Sequence, residues 1–203
     1  MGEPRQNFAM EAIREFKVST SNYKAEYGLA TGGLVSVVSK TGTNEFHGEV
    51  FTFFRDDALT EKATFEVTKP PYQRYQYGGS IGGPIVKDKT HFFFTYEGTK
   101  ESQFLTVNTL GVWPQYDGTY ESEQKRWTYL GRIDHRINAG QTAFFRWAAE
   151  DEYRPIITTG GRTHPTASFD FAVPRSSAVA GHTWVKSQNS INDFRIQYAF
   201  AKY

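Results

Sequence analysis

Cysteine is absent from the 203 residues of this chain. A disulfide framework, a zinc–thiolate centre and a cysteine nucleophile are therefore excluded. An excess of charge is absent as well, because 23 Lys and Arg residues face 22 Asp and Glu residues and leave a net charge of +1. Nucleic-acid binding requires a basic excess, so no nucleic-acid partner is expected.

Long apolar runs and catalytic motifs are missing too. No stretch of about 18 apolar residues occurs, so the sequence predicts no transmembrane helix. The first residues, MGEPRQNF, lack the basic start and apolar core of a signal peptide. Neither a GxSxG nor an HExxH motif is present, and the five histidines show no metal-ligand spacing. We therefore expect no enzyme activity, no metal and no other cofactor.

Aromatic residues and glycine are abundant instead. Phe, Trp and Tyr make up 16% of the chain, Gly occurs 18 times, and leucine is scarce. This composition favours strands over helices. The segments typical of strands after residue 44 are 46–54, 75–85, 92–107, 126–137, 142–151, 175–186 and 191–203. Long linkers (55–74, 108–125 and 152–174) alternate with short ones around residues 87, 139 and 188, which predicts an antiparallel meander with two unequal ends.

Apolar and charged residues alternate within these segments. In 126–137 the odd positions include Trp127, Tyr129 and Ile133, whereas the even positions include Arg126 and Arg132. Such alternation over about ten residues is the weak signature of a transmembrane β-barrel. A soluble antiparallel sheet with one wet face gives the same alternation. Periodicity alone leaves both open, and the regular long and short linkers favour the barrel.

The first 44 residues follow a different pattern. The segment 13–20 alternates like a short strand, 21–28 fits a helix of one or two turns, and 34–39 fits a buried strand that begins after Gly32 and Gly33. The glycines of YGGSIGGP do not match the dinucleotide-binding GxGxxG pattern. We expect them to lie in a strand and to face either bulky neighbours or the N-terminal part of the chain.

Consecutive motifs resemble the TonB-dependent outer-membrane receptors, and most closely their Oar-like group. IREFKV, NYKAEYG and TGGLVSVVSK are similar to the end of that family's plug domain. GTNEFHG, followed by FTFFRDDAL, is similar to the passage into the first barrel strand. YQYGGSIGGPIVKDKTHFFFTYEG and YLGRIDHRINAGQTAFFRW are similar to later barrel strands. Together the motifs cover nearly all of the chain after residue 10.

The resemblance implies an all-β fold: an antiparallel meander of about seven strands that forms part of a transmembrane β-barrel. It assigns residues 1–44 to the C-terminal part of a small α+β plug domain and residues 45–203 to the first barrel strands. The family's barrel has 22 strands, so the chain is expected to be a fragment of a longer receptor. The implied location is the outer membrane of a Gram-negative-type cell. The implied partners are outer-membrane lipid, an unknown extracellular ligand, and TonB through a part of the receptor outside this chain.

No ligand site is evident from the sequence. The candidates are charged residues predicted to face the lumen: Arg132, Asp134, Arg136, Arg146 and Arg195. The acids at 56–57 and 150–152 are expected to be solvated in loops. The alternative function is a soluble β-domain that binds glycan or peptide through aromatic loops.

The alternation also predicts a register around Asn138-Ala139-Gly140. Directly paired residues point the same way, so a three-residue loop that pairs Ile137 with Gln141 keeps both patterns. Gly140 is then expected in the left-handed conformation. This register places Gly131 opposite Trp147, with the Trp ring over the glycine, and Arg132 opposite Arg146.

Overall fold

The structure is a computed structural model that describes residues 8–19, 34–59, 61 and 71–202. Two antiparallel sheets occur within these ranges. A small sheet pairs β1 (Ile13–Ser19) with β2 (Leu34–Ser39). The strands of the large sheet are β3 (His47–Asp56), β4 (Tyr72–Val86), β5 (Thr90–Val107), β6 (Gly118–Asn138), β7 (Gln141–Arg154), β8 (Phe171–Ser187) and β9 (Ser190–Ala201). Each strand pairs with the next in the chain, which confirms the predicted meander of seven strands.

In the described part of the chain, helical structure is limited to single turns. Four 3-10 helices of three residues occur within the described ranges, at Met10–Ala12, Asp57–Leu59, Pro114–Tyr116 and Pro165–Ala167. No helix in this part of the chain is long and apolar enough to cross a membrane. The helix predicted at 21–28 and the pair Gly32 and Gly33 lie outside the described residues.

The central strands are longer than predicted. β5 has 18 residues and β6 has 21, and β6 begins at Gly118 instead of residue 126. The additional residues, GTYESEQK, are polar on both faces. Alternation between apolar and polar residues appears only where one face is apolar. The sequence pattern therefore indicated only the part of each strand that carries an apolar face.

The large sheet has one apolar face and one polar face. A row of rings crosses the apolar face, with Tyr77, Tyr96, Tyr129 and Trp147 each on a different strand from β4 to β7. Their centroids are 6.1, 5.2 and 6.4 Å apart in that order. The polar face carries Arg132, Arg146 and further charged residues at the alternate positions.

The predicted register of β6 and β7 is right in the body of the strands and wrong at the turn. Gly131 pairs with Trp147 and Arg132 with Arg146, as predicted. The last pair, however, joins Asn138 to Gln141, and the pairing shifts by one residue between Arg136 and Asn138. Positive φ is found among the described glycines only at 111, 160 and 161, so the left-handed Gly140 is also wrong.

The other two short turns show the same shift. It lies between Pro84 and Val86 before the β4–β5 turn, and between Val185 and Ser187 before the β8–β9 turn. A β-bulge supplies one extra residue on the first strand of each hairpin. The bulge at Ile137 thus compensates for a turn that is one residue shorter than predicted.

The predicted cover over Gly131 is wrong. The closest atom to a Cβ at Gly131 belongs to the Phe94 ring, at 3.9 Å. The Trp147 side chain turns towards β8 instead and donates from Nε1 to Ser176 Oγ at 3.0 Å. The prediction for YGGSIGGP is right, because Gly83 lies under the Phe46 ring and the neighbouring glycines of β4 face bulky groups as well.

The small sheet and the short helix before it contact the polar face. Ala9 and Ala12, 3% and 1% exposed, pack against Phe93, Leu130 and Ala148. These small side chains allow the N-terminal segment to approach the large sheet, here called the wall, closely. The prediction that β2 is buried is wrong, since Val35 and Val38 are 61% and 46% exposed and, among the side chains described from Val35 to Ser39, only Ser39 is buried.

We predict that Ala12→Leu weakens this packing. The added methylenes have no free volume at a residue that is 1% exposed, and overpacking a filled site costs about 1–3 kcal/mol. The urea midpoint for unfolding of the N-terminal segment, measured by limited proteolysis, should be lower in this variant than in the wild type. The control is Val35→Leu at an exposed position of the same small sheet, which should leave the midpoint unchanged. Equal midpoints for the two variants would contradict the packing described here.

Candidate functional site

The junction between the small sheet and β3 is fixed by Asn44. Its Nδ2 donates to Asp88 Oδ1, and its Oδ1 accepts from the Asp88 backbone N–H at 2.7 Å. His91 Nε2 lies 2.8 Å from the same Oδ1. Asp88 has a φ of 60° in the short β4–β5 turn, a conformation that Asp tolerates better than most residues. These contacts, named the Asn44 clamp here, hold the junction against the wall.

Only glycine fits at position 42, beside the Asn44 clamp. A Cβ at this position would collide with the carbonyl oxygens of Phe92 and Gly83. Two residues earlier, Lys40 Nζ lies 2.9 Å from Glu11 Oε2 and 3.5 Å from Glu49 Oε1. The hydrogen bond to Glu11 raises the pKa of Lys40. One cation thus joins the N-terminal segment, the end of β2 and the first strand of the large sheet.

Arg132 connects the wall to the small sheet. Its Nε and Nη2 each donate to a carboxylate oxygen of Asp134 at 2.8 Å, and its Nη1 donates to Ser39 Oγ at 2.9 Å. The guanidinium also lies over the Phe144 ring, 4.9 Å from its centroid. Most of its donor groups are therefore already used.

Arg146 lies directly across from Arg132 but has different contacts. Its Nε is buried and has no hydrogen-bond partner. None of the described residues forms a salt bridge with it, and its guanidinium lies 5.8 Å from the centroid of the Phe8 ring. Asp134, an acid on the same face, is bound in bidentate fashion by Arg132. Arg146 is therefore a cation that the described wall does not neutralise.

A cavity of about 410 Å³ opens on the polar face at the end with the short turns. Arg132, Asp134 and Arg136 line one side, and Lys89 and His91 belong to the neighbouring strand and turn. The other lining residues are Asn44, Asp88, His135, Thr142, Ala143 and Phe144. The clamp, the Arg132 contacts and the junction thus surround one space.

An ion-pair network occupies the other end of the polar face. Glu150 and Glu152 are 0% and 6% exposed. Arg126 Nη2 lies 2.7 Å from Glu152 Oε1, and Arg175 Nη1 lies 3.2 Å from Glu152 Oε2 and 3.5 Å from Glu150 Oε1. The prediction that these two acids are solvated in a loop is wrong, because β7 continues to Arg154 and holds both side chains on the polar face.

The two long linkers after β5 and β7 form one unit above this network. The Asn108 N–H donates to the Gly161 carbonyl at 2.7 Å, and the Gly161 N–H donates to the Thr106 carbonyl at 3.1 Å. The His164 ring contacts Tyr116 and Tyr120 edge-on, with centroids 5.2 and 5.1 Å away. These contacts give the long-linker end a defined surface.

Asp170, just before β8, further fixes the long linker between β7 and β8. Asp170 accepts from the Ile156 N–H at 3.0 Å and from the Tyr153 hydroxyl at 2.8 Å. Both bonds stabilise the ionised carboxylate and lower the pKa of Asp170. The linker is thereby tied back to the end of β7.

The five predicted candidates do not form one cluster. Arg132, Asp134 and Arg136 line the cavity, and Arg146 lies beside them. Arg195 lies on β9, 66% exposed at its side chain, and pairs with Asp193 at 2.9 Å. Sequence reasoning missed Ser39, Asn44 and Phe8. Asn44 belongs to the GTNEFHG motif, but no local pattern reveals a partner 44 positions away.

We predict that Asn44→Ala loosens the junction. The variant removes the two exposed hydrogen bonds between Asn44 and the Asp88 turn, and an intramolecular hydrogen bond contributes about 0.5–1.5 kcal/mol. Hydrogen exchange at the amides of residues 87–89 should accelerate several-fold. The matched control is Asn189→Ala, which removes the same side chain from the exposed β8–β9 turn. Unchanged exchange in Asn44→Ala would contradict the clamp.

Comparison with known proteins agrees with this geometry. Residues 38–115 and 105–202 match the outer membrane beta barrel domain family. Over 165 residues the chain is 28% identical to the TonB-dependent transporter Oar of Myxococcus xanthus, an alignment that covers 68% of this chain and 16% of that protein. The chain therefore spans only a small part of the length of this relative. No solved structure matches.

Proposed function

Because the chain belongs to the outer membrane beta barrel domain family, we propose that it forms one wall of a TonB-dependent receptor that takes up an extracellular ligand. Family membership locates the chain in the outer membrane and argues against the alternative of a soluble glycan- or peptide-binding domain. Energy-coupled uptake, the ligand and the contact with TonB go beyond the similarity and are part of the proposal.

The observation that carries the proposal is the height of the apolar face. It extends on β6 from Trp127 to Ile137, beside the row of rings across four strands. At about 3.3 Å per residue this run is about 33 Å long. A strand tilt of about 40° reduces that length to an apolar band of about 25 Å, the height found in outer-membrane barrels. The charged alternate face is then the lumen.

Residues 1–44 fit the end of a plug. The described part of this segment lies against the polar face through Ala9, Ala12 and Ser39, where a lumen would be filled. In the proposed mechanism the docked linkers of the long-linker end face outward and receive the ligand. TonB, driven by the proton gradient of the inner membrane, then displaces the plug and opens a path along the wall.

The uptake proposal can be tested while the ligand is still unidentified. Cells with and without the intact protein are grown in the same medium, and the spent medium is compared by mass spectrometry. We expect at least one compound to be depleted only when both the protein and TonB are present. Depletion that persists in cells lacking TonB would refute energy coupling through TonB.

The face assignment gives a separate prediction. Trp147→Arg should impair assembly into the membrane, because an arginine on the lipid face near the midplane costs about 2–4 kcal/mol. The matched control is Gln197→Arg, since Gln197 lies on the polar face in the row that contains Arg146 and Val179. Outer-membrane fractions should contain the control at wild-type level. Normal assembly of Trp147→Arg together with loss of Gln197→Arg would reverse the two faces.

The unequal ends predict the orientation of the wall. In outer-membrane barrels the long loops are extracellular and the short turns periplasmic. Trypsin added to whole cells should therefore cut at Arg162, which is exposed in the long linker after β7. Lys87 and Lys89, exposed in the short β4–β5 turn, should be cut only after the cells are permeabilised. Cleavage at Lys87 in intact cells would invert the orientation.

A further inference from the structure

Among the described residues of the polar face, the arginines of one half lie beside acids, whereas Arg146 and Arg136 in the other half form no salt bridge. In the half nearer the long linkers, Arg126, Arg154 and Arg175 all lie within 3.2 Å of Glu152 oxygens. The Nε atoms of Arg126 and Arg154 lack hydrogen-bond partners, yet both guanidinium groups keep this acid beside them. Arg146, in the half nearer the short turns, has a buried Nε and no acid beside it among the described residues.

A guanidinium in this position favours an anion beside it. Arg146 is partly buried and its Nε is fully buried. Removing a charge from water without a partner is costly, and arginine stays protonated because its pKa is far above neutrality. The Phe8 ring beneath Arg146 offers only a cation–π contact. Arg132, directly opposite, offers no acceptor, and its acid, Asp134, is already engaged by two hydrogen bonds from Arg132 itself.

We propose that Arg146 is the centre of an anion-binding site that takes a carboxylate or a phosphate group. The planar guanidinium donates two parallel hydrogen bonds to either group. This inference rests on the proposed function, because it locates the site inside the lumen of the receptor and gives the ligand, or a part of the plug, a negative group.

The neighbouring cavity supports the same ligand chemistry. Arg132, Arg136 and Lys89 line it together with two acids, Asp134 and Asp88. Asp88 is held by Asn44 and Asp134 by Arg132. Among the described residues the Arg136 side chain forms no hydrogen bond or salt bridge, so its donors remain available. An anion in contact with Arg146 would therefore meet a second free guanidinium further along the wall, towards the short turns.

Two sources could supply this anion, and both would present a negatively charged oxygen group to Arg146. The anion is either a free group carried by the ligand or a carboxylate of the N-terminal 44 residues. Of the four glutamates in that segment, Glu11 is bound by Lys40. The remaining three are Glu3, Glu15 and Glu26. Glu15 is exposed, and Glu3 and Glu26 lie outside the described residues.

Isothermal titration calorimetry of the intact protein in detergent, with inorganic phosphate and with citrate as probes, tests the site. If the source is a free anion, the wild type binds a probe and Arg146→Gln binds it at least about tenfold more weakly. Arg146→Lys should restore part of the affinity, because it keeps the charge but loses the bidentate geometry. The control is Arg195→Gln on the same face, whose arginine is already paired with Asp193, and it should bind like the wild type.

The triple variant Glu3→Gln, Glu15→Gln, Glu26→Gln identifies the other source. If a chain carboxylate fills the site, the wild type binds neither probe, the triple variant binds one, and adding Arg146→Gln abolishes that binding. Absence of binding in both the wild type and the triple variant overturns the proposal. Binding that is unaffected by Arg146→Gln overturns it as well.

A spectroscopic measurement covers the case in which Arg146→Gln does not fold. With ¹⁵N-labelled arginine, the Nε–H resonance that disappears in Arg146→Lys is assigned to Arg146, and phosphate should shift it in the wild type or in the triple variant. An unshifted resonance in both proteins overturns the site. Neither measurement needs TonB or transport, so failure of uptake and failure of anion binding remain distinguishable.

Discussion

The need of every backbone N–H and C=O group for a hydrogen-bond partner determines how the strands of this chain are arranged. Hydrocarbon offers no water to unpaired N–H and C=O groups, so strands that cross a membrane must satisfy one another. From β4 to β8 every strand has a partner on both sides. β3 and β9 each have one, and β9 is exposed along its whole length. The backbone groups between the seven strands are therefore paired, but the sheet does not close into a barrel. In lipid, the unpaired edges of β3 and β9 would require further strands.

The same requirement explains why bulges recur at the short turns. Each hairpin must keep its apolar residues on one face, and a slip of one residue would turn a strand inside out. The extra residue at each bulge preserves the alternation although the turns differ in length. The Arg136 N–H also donates to the Lys89 carbonyl, and the Val185 N–H to the Gly140 carbonyl, so neighbouring short turns are hydrogen-bonded to one another.

The sequence predicted the strands well where one face meets lipid and poorly elsewhere. The pairing of Arg132 with Arg146 follows from alternation alone, because parity fixes the register in the body of β6 and β7. The start of β6 at Gly118 does not, since both faces are polar there and no periodicity remains. For the same reason Glu150 and Glu152 looked like loop acids. Burial of such residues depends on Arg126 and Arg175 of neighbouring strands, which a local pattern does not encode.

The two halves of the polar face are stabilised in different ways. Near the long linkers, Glu150 and Glu152 are neutralised by arginines of the wall itself. Near the short turns, the wall depends on the N-terminal segment: Arg132 on Ser39, Glu49 on Lys40, and Phe93 on Ala9 and Ala12. Two of these three contacts are polar, and water substitutes for polar partners at low cost. Separating the N-terminal segment from the wall would therefore cost less free energy than separating an equal area of apolar packing, and it would not break the ion-pair network near the long linkers. In the receptor proposed here, this division would keep the long-linker end of the wall rigid, while the short-turn end could exchange its contacts with the N-terminal segment for solvent or for a ligand.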